Sequence, residues 1–129
     1  MKKEFSNAWN SSKKPSKQRK FRYNAPLHIK RKLLSARLSK ELSKKHNTRS
    51  LSVRSGDKVK IVRGQFSGKI GKIDFVNIRR QRIFIEGTDR TKIDGTKSLY
   101  PIHPSNVIIQ ELNMDDKYRK QILERKVKK

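Results

Sequence analysis

The sequence contains no cysteine. Disulfides, thiolate-bound zinc and a cysteine nucleophile are therefore excluded. No apolar run is long enough for a membrane span or the core of a signal peptide. His28, His46 and His103 stand far apart, and none has a second ligand three or four positions on, so no metal site is expected. Acidic side chains are scarce, 11 against 35 lysines and arginines. Among them, Asp57, Asp74, Glu86, Asp89 and Asp94 sit in basic surroundings, where salt bridges and turn caps account for them better than acid–base catalysis. No serine, histidine and aspartate follow a nucleophile motif. The glycines from Gly64 to Gly71 are not followed by Gly-Lys-Ser/Thr, which excludes a P-loop. The chain is expected to be no enzyme and to carry no cofactor.

What is present is positive charge. Of 129 residues, 36% are charged and only 32% are apolar, so one small core with extensions is expected. The net charge of +24, with a pI near 10.9, destabilises a compact state unless a polyanion neutralises it. Nucleic acid is the first candidate and an anionic membrane surface the second. The charge is concentrated at the front: +15 over residues 1–54, +6 over 55–110 and +3 over 111–129. A mitochondrial presequence is disfavoured, because the Ser- and Lys-rich start lacks an amphipathic period and is interrupted by Pro15.

Residues 1–25 read as a basic extended arm in which Phe21 and Tyr23 interleave with Arg19, Lys20 and Arg22. Residues 26–48 read as a basic helical extension. Asn24-Ala25-Pro26 signals its start and Asn47 its stop, with Leu34, Leu38 and Leu42 as one apolar stripe. Residues 27–45 form one long helix or two shorter ones on this reading. The stripe is narrow and carries no aromatic anchor, so membrane insertion is not expected.

Residues 49–112 read as a small barrel. Leu51 and Val53 alternate in an extended lead-in. Lys58, Lys60 and Arg63 then alternate with Val59 and Ile61 at the period of a half-buried strand. Gly64 and Gly68 frame a hairpin loop. Lys69 to Ile73 resume the alternation, and Gly71 marks a bulge, a bend or a close backbone approach. Arg79 to Arg82 form a basic turn, Ile83 to Ile85 a buried strand, Gly87 to Gly95 a polar loop, Lys97 to Tyr100 a further short strand, and Val107 to Ile109 the last strand. Short strands with tight turns predict a small barrel and not a parallel sheet. Residues 113–129 read as a C-terminal helix and basic tail, capped by Asp115 or Asp116, with Tyr118 and Ile122 on one face.

Gly56 to Gly64 followed by Gly68 to Ile73 resembles the KOW motif, two strands around a glycine-bearing loop in an SH3-like barrel. Three further stretches follow one family in order: Asn24-Ala25-Pro26-Leu27-His28-Ile29-Lys30-Arg31-Lys32 with Leu38 to Leu42; Asp94-Gly95-Thr96 with Ile102 to Val107; and Ile122 to Lys126. With them the chain, from about Lys17 to Lys126, resembles the KOW-containing large-subunit ribosomal proteins of universal family twenty-four. The likeness is to their eukaryotic and archaeal form, family twenty-six in the older eukaryotic numbering. Arg37 departs from the proline common there, and the loop around Gly68-Lys69-Ile70 is slightly short.

The resemblance implies a mainly β fold, an SH3-like barrel with a basic helical N-terminal extension and a short C-terminal helix. It also implies a non-catalytic structural constituent of the large subunit that binds the 5′ domain of the large-subunit rRNA, supports assembly and lies near the peptide exit tunnel. Expected partners are that rRNA and neighbouring ribosomal proteins, one copy per ribosome and no homo-oligomer. The expected location is the cytoplasmic ribosome, with a nucleolar stage if the source is eukaryotic. The rival reading is a transcription-elongation KOW module, which ordinarily joins a second domain that grips polymerase. Candidate RNA contacts are Arg19, Lys20, Arg22, Lys30, Arg31 and Lys32 on the extension, and Arg63, Lys69, Lys72, Arg79, Arg80 and Arg82 on the barrel. Phe21, Tyr23 and Phe66 are the stacking candidates.

Overall fold

The computed structural model describes residues 5, 6, 9 and 12–127. The basic N-terminal part begins with helices α1 (Pro15–Asn24) and α2 (Leu27–Leu33), then strand β1 (Ser35–Leu38), helix α3 (Lys40–Lys45) and strand β2 (Ser50–Ser52). The glycine-bearing stretch supplies β3 (Lys58–Ile61) and β4 (Ile70–Asn77), followed by β5 (Arg82–Ile85). A hairpin of β6 (Asp89–Thr91) and β7 (Lys97–Leu99), a 3-10 turn (Pro104–Asn106), β8 (Val107–Glu111) and helix α4 (Lys117–Val127) complete the described chain.

The main sheet is six-stranded, in the order β2-β1-β8-β3-β4-β5. Its pairs are antiparallel except β1 with β8, which run parallel. Beyond β5, Ile83 and Ile102 exchange backbone hydrogen bonds of 2.8 and 2.9 Å, which carries the sheet round towards closure. The result is the mainly β, small SH3-like barrel expected. Val59, Ile61, Ile73, Ile83, Ile85, Val107 and Ile109 fill its interior at 0–2% exposure, while lysines on the same strands point outward. Each such aliphatic side chain contributes about 1.5–3 kcal/mol by leaving water.

Glycine conformation shapes the loop between β3 and β4. Gly64 and Gly68 take φ of 101° and 88°, where a side chain would be strained. Ser67 Oγ donates to Val62 O at 2.8 Å and Gly68 N donates to Ile61 O at 2.8 Å, which closes the loop. Gly71 is a close-approach position: a Cβ there would lie 2.7 Å from Glu86 O and 2.7 Å from Ile85 Cγ2.

The structure differs from the sequence reading in four places. First, residues 27–45 hold two shorter helices, one of the two forms expected, but Ser35–Leu38 between α2 and α3 is a strand and not part of a helix. Leu34 and Leu38 are buried in the barrel core, and Leu42 packs against it from α3. Their spacing of four also satisfies a strand period of two, and Ala36 supplies the missing position at 1% exposure. Pairing with β2 and β8 then decides for strand. Second, part of the extended arm is helix α1. Pro15 opens this helix at its first turn, where no amide donor is needed. Third, the polar loop of residues 87–95 contains β6, which pairs with β7 around the Asp94-Gly95 turn. Fourth, α4 docks through a face the sequence reading did not name, Arg119 and Leu123 at 3% and 2% exposure, while Tyr118 and Ile122, together on another face, remain 75% and 41% exposed.

The inward arginine holds the C-terminal helix to the barrel. Asp57, at 0% exposure, accepts from Arg119 Nη1 at 2.6 Å and Nη2 at 2.8 Å. It also accepts from the amides of Arg54 and Asn113, each at 2.9 Å. Asp116 caps α4 through the Tyr118 amide and pairs with Arg54. Lys126 Nζ donates to Thr48 Oγ1 at 3.0 Å near the other end of the helix.

Candidate nucleic-acid interface

The candidate residues fall on three parts of the surface. On the extension, α1 has no buried residue and carries Arg19, Lys20 and Arg22, all exposed. A helix this polar draws little stability from packing, so an anion along its basic side is its natural complement. Phe21 is half-buried: Trp9 stacks on it at 4.6 Å and Phe5 lies 4.9 Å away. Its ring is thus engaged within the arm, while Tyr23 stands 82% exposed. On α2, Arg31 and Lys32 are exposed, but Lys30 turns back and donates to Tyr23 O at 3.0 Å.

The second part is the end of the barrel. Arg63, Phe66 and Arg82 line a depression of about 170 Å³ with Tyr100 and His103. The Phe66 ring meets Tyr100 edge-on at 5.3 Å and packs against the core, and Lys69 Nζ sits 5.0 Å above it. Phe66 therefore serves both core and surface. Arg82 is half-buried, with Nη1 donating to Gln81 O at 3.1 Å.

His103 stands at this end of the barrel. Its Nδ1 lies 2.8 Å from Ser105 Oγ and accepts from the Ser105 amide at 3.2 Å. Burial, then the charges of Arg82 and Arg22, push its pKa below the ordinary value. Two guanidiniums from different parts of the chain thus act on one imidazole, a local concentration of positive potential suited to a phosphate.

The third part is the outer side of β4 and the turn after it, with Lys72, Arg79 and Arg80 exposed. Salt bridges among the described residues are Arg54–Asp116, Lys58–Glu111 and Arg119–Asp57, so none of the candidate cations is neutralised by one. No group of three or more histidines, cysteines and carboxylates able to hold a metal occurs among the described residues. No described helix is long and apolar enough to cross a membrane.

Sequence reasoning missed Trp9, Tyr100 and His103, which the fold brings against candidate residues distant in sequence. The Pro-flanked Tyr100 and the His-Pro pair were visible signals, yet only the return of the chain past β5 sets them beside Phe66 and Arg82.

The geometry is that of an exposed basic surface of the kind a polyanion complements. A curated relative, the large ribosomal subunit protein uL24 of Korarchaeum cryptofilum (strain OPF8), is 49% identical over 115 residues, covering 89% of this chain and 88% of the relative. The family match begins at residue 12, earlier than the motifs alone suggest, and it takes in the arm helix, the barrel and α4 up to residue 126. On that match over residues 12–126, the chain belongs to the ribosomal protein family made up of the eukaryotic L26 proteins and their archaeal counterparts.

Proposed function

We propose that this ribosomal protein is a non-enzymatic structural constituent of the large subunit that binds the 5′ domain of the large-subunit rRNA. It supports assembly of the subunit and lies near the peptide exit tunnel. Its partners are that RNA and neighbouring ribosomal proteins, and one copy serves each ribosome. Its place is the cytoplasmic ribosome, after a nucleolar stage if the source is eukaryotic.

The observation that carries the RNA contact is the set of exposed cations with no salt bridge among the described residues, on both extension and barrel: Arg19, Lys20, Arg22, Arg31 and Lys32 with Arg63, Lys69, Lys72, Arg79 and Arg80. Lys30 and Arg82 hold the surface in shape through backbone carbonyls. Of the stacking candidates, Tyr23 is free to meet a base, whereas Phe21 and Phe66 shape the surface from below.

Crosslinking in whole cells with sequencing of the bound RNA tests the reading. Reads concentrated in the 5′ domain of large-subunit rRNA are expected. Reads spread over nascent messenger RNA would replace it with the transcription-elongation reading.

A further inference from the structure

Phe75 and Phe84 lie in barrel strands, yet neither contributes to the core among the described residues. Register explains Phe84: Ile83 and Ile85 face inward at 0% and 1% exposure, so the residue between them faces out. On β4 an irregularity between Ile73 and Phe75 shifts the pairing and sets Phe75 opposite Phe84. The two rings stack at 4.2 Å with planes 10° apart, and Phe75 remains 45% exposed. An outward stack of this kind has an open side that accepts another flat ring.

The surroundings are uneven in charge. The turn from β4 to β5 carries Arg79 and Arg80, exposed and without a salt bridge among the described residues. The turn is held in shape, since Asn77 Oδ1 accepts from the Arg80 amide at 3.0 Å and Gln81 takes a φ of 54°. The last ladder pair, Asn77 with Arg82, lies two positions beyond the ring pair, about 7 Å along the strands, and the turn follows directly on it. Asp74 and Glu86 lie towards the opposite end and disfavour a phosphate there.

We propose that the Phe75–Phe84 stack receives one unpaired base of the ribosomal RNA, whose adjoining phosphate is taken by Arg79 and Arg80. The proposal rests on the rRNA-binding reading above. Charge complementarity selects the occupant. A polyanion satisfies the two arginines, and an unstacked base covers the open ring; an apolar protein segment would cover the rings and leave the arginines uncompensated. Any base has a π face, so the site selects a splayed-out nucleotide by shape and not by sequence.

The test uses the full chain and a transcript of the 5′ domain of large-subunit rRNA, with affinity measured at several salt concentrations. Phe75→Ala is expected to weaken binding by about 10-fold without changing the salt slope, because stacking releases no counterions. Arg79→Gln with Arg80→Gln is expected to flatten the slope. Phe75→Trp is expected to retain affinity, and its indole emission to change on RNA addition beyond any change in the wild type, whose one tryptophan is Trp9. Thermal melting establishes that each variant is folded, and the exposed position of Phe75 makes that outcome the expected one. Wild-type affinity for Phe75→Ala, with no added indole response in Phe75→Trp, overturns the stacking site and leaves the rRNA reading standing. An indole response that appears only when a neighbouring ribosomal protein is added assigns the rings to a protein contact and equally overturns it. Failure of the wild type itself to bind the transcript removes the rRNA reading, and the site with it.

Discussion

Single residues set the strain and the buried charge in this protein. Asp57 and Arg119 form a fully enclosed pair, and removing one partner leaves the other charged without compensation. Arg119→Ala is therefore expected to lower unfolding free energy by about 3–5 kcal/mol in urea titration. Lys120→Ala, on the exposed side of the same helix, should stay within about 0.5 kcal/mol of wild type. Gly71→Ala meets backbone and a core isoleucine and is expected to cost about 1–3 kcal/mol. Gly64→Ala has open space but a φ of 101°, so its cost of about 1 kcal/mol comes from the backbone alone. A denaturant midpoint for Gly71→Ala equal to wild type would refute the close-approach account.

His103 supplies a pH dependence. Its pKa is lowered in the folded chain, so it supports the native state above the ordinary value of 6.5 and withdraws that support as pH falls through the lowered value. A phosphate near Arg82 and Arg22 offsets their repulsion and raises the pKa again. An NMR titration is expected to show a midpoint below 6.5 in the free protein, moving upward when RNA is bound. RNA affinity should correspondingly strengthen as pH drops below that ordinary value. An RNA-bound midpoint unchanged from the free protein would mean that no phosphate lies between the arginines.

At the scale of elements, β1 shows where local pattern and tertiary structure part. Leu34 and Leu38 carry an apolar spacing shared by a helix face and a strand face, and the adjacent segments are helical. The parallel pairing with β8 brings in residues about 70 positions away, which no local window contains. Helix α1 is the opposite case. It has no buried face and no acidic residue in its first turn, so little but Pro15 marked it. Its cations are expected to act collectively. Neutralising Arg19, Lys20, Arg22, Arg31 and Lys32 together should reduce the slope of log affinity against log salt by about 3–5, whereas one neutralisation should do little. An undiminished slope would show that the extension lies off the RNA.

For the whole molecule, the net charge of +24 is spread over a core too small to tolerate it comfortably without a counter-charge. The buried aliphatics keep the barrel closed, while the extension and the outer faces of β3 and β4 carry exposed cations, of which Lys58 is paired with Glu111. The protein is expected to cosediment with large ribosomal subunits after a moderate salt wash and to be released at high salt. Release at low salt would indicate loose electrostatic association without a shaped site.

Composition alone determined the net charge of +24, and with it the expectation of a polyanionic complement, because charge is additive and needs no fold. Period-2 alternation and paired glycines determined the β3–β4 hairpin, because strand pairing across a short loop is a local event. The tertiary structure alone decided which apolar residues are core and which are surface. Phe75 stands outside through a register shift, Arg119 stands inside through an ion pair with Asp57, and His103 comes under the charges of Arg82 and Arg22 through the path of the chain. Each depends on contacts between segments distant in sequence, and such contacts form only when the whole sheet does.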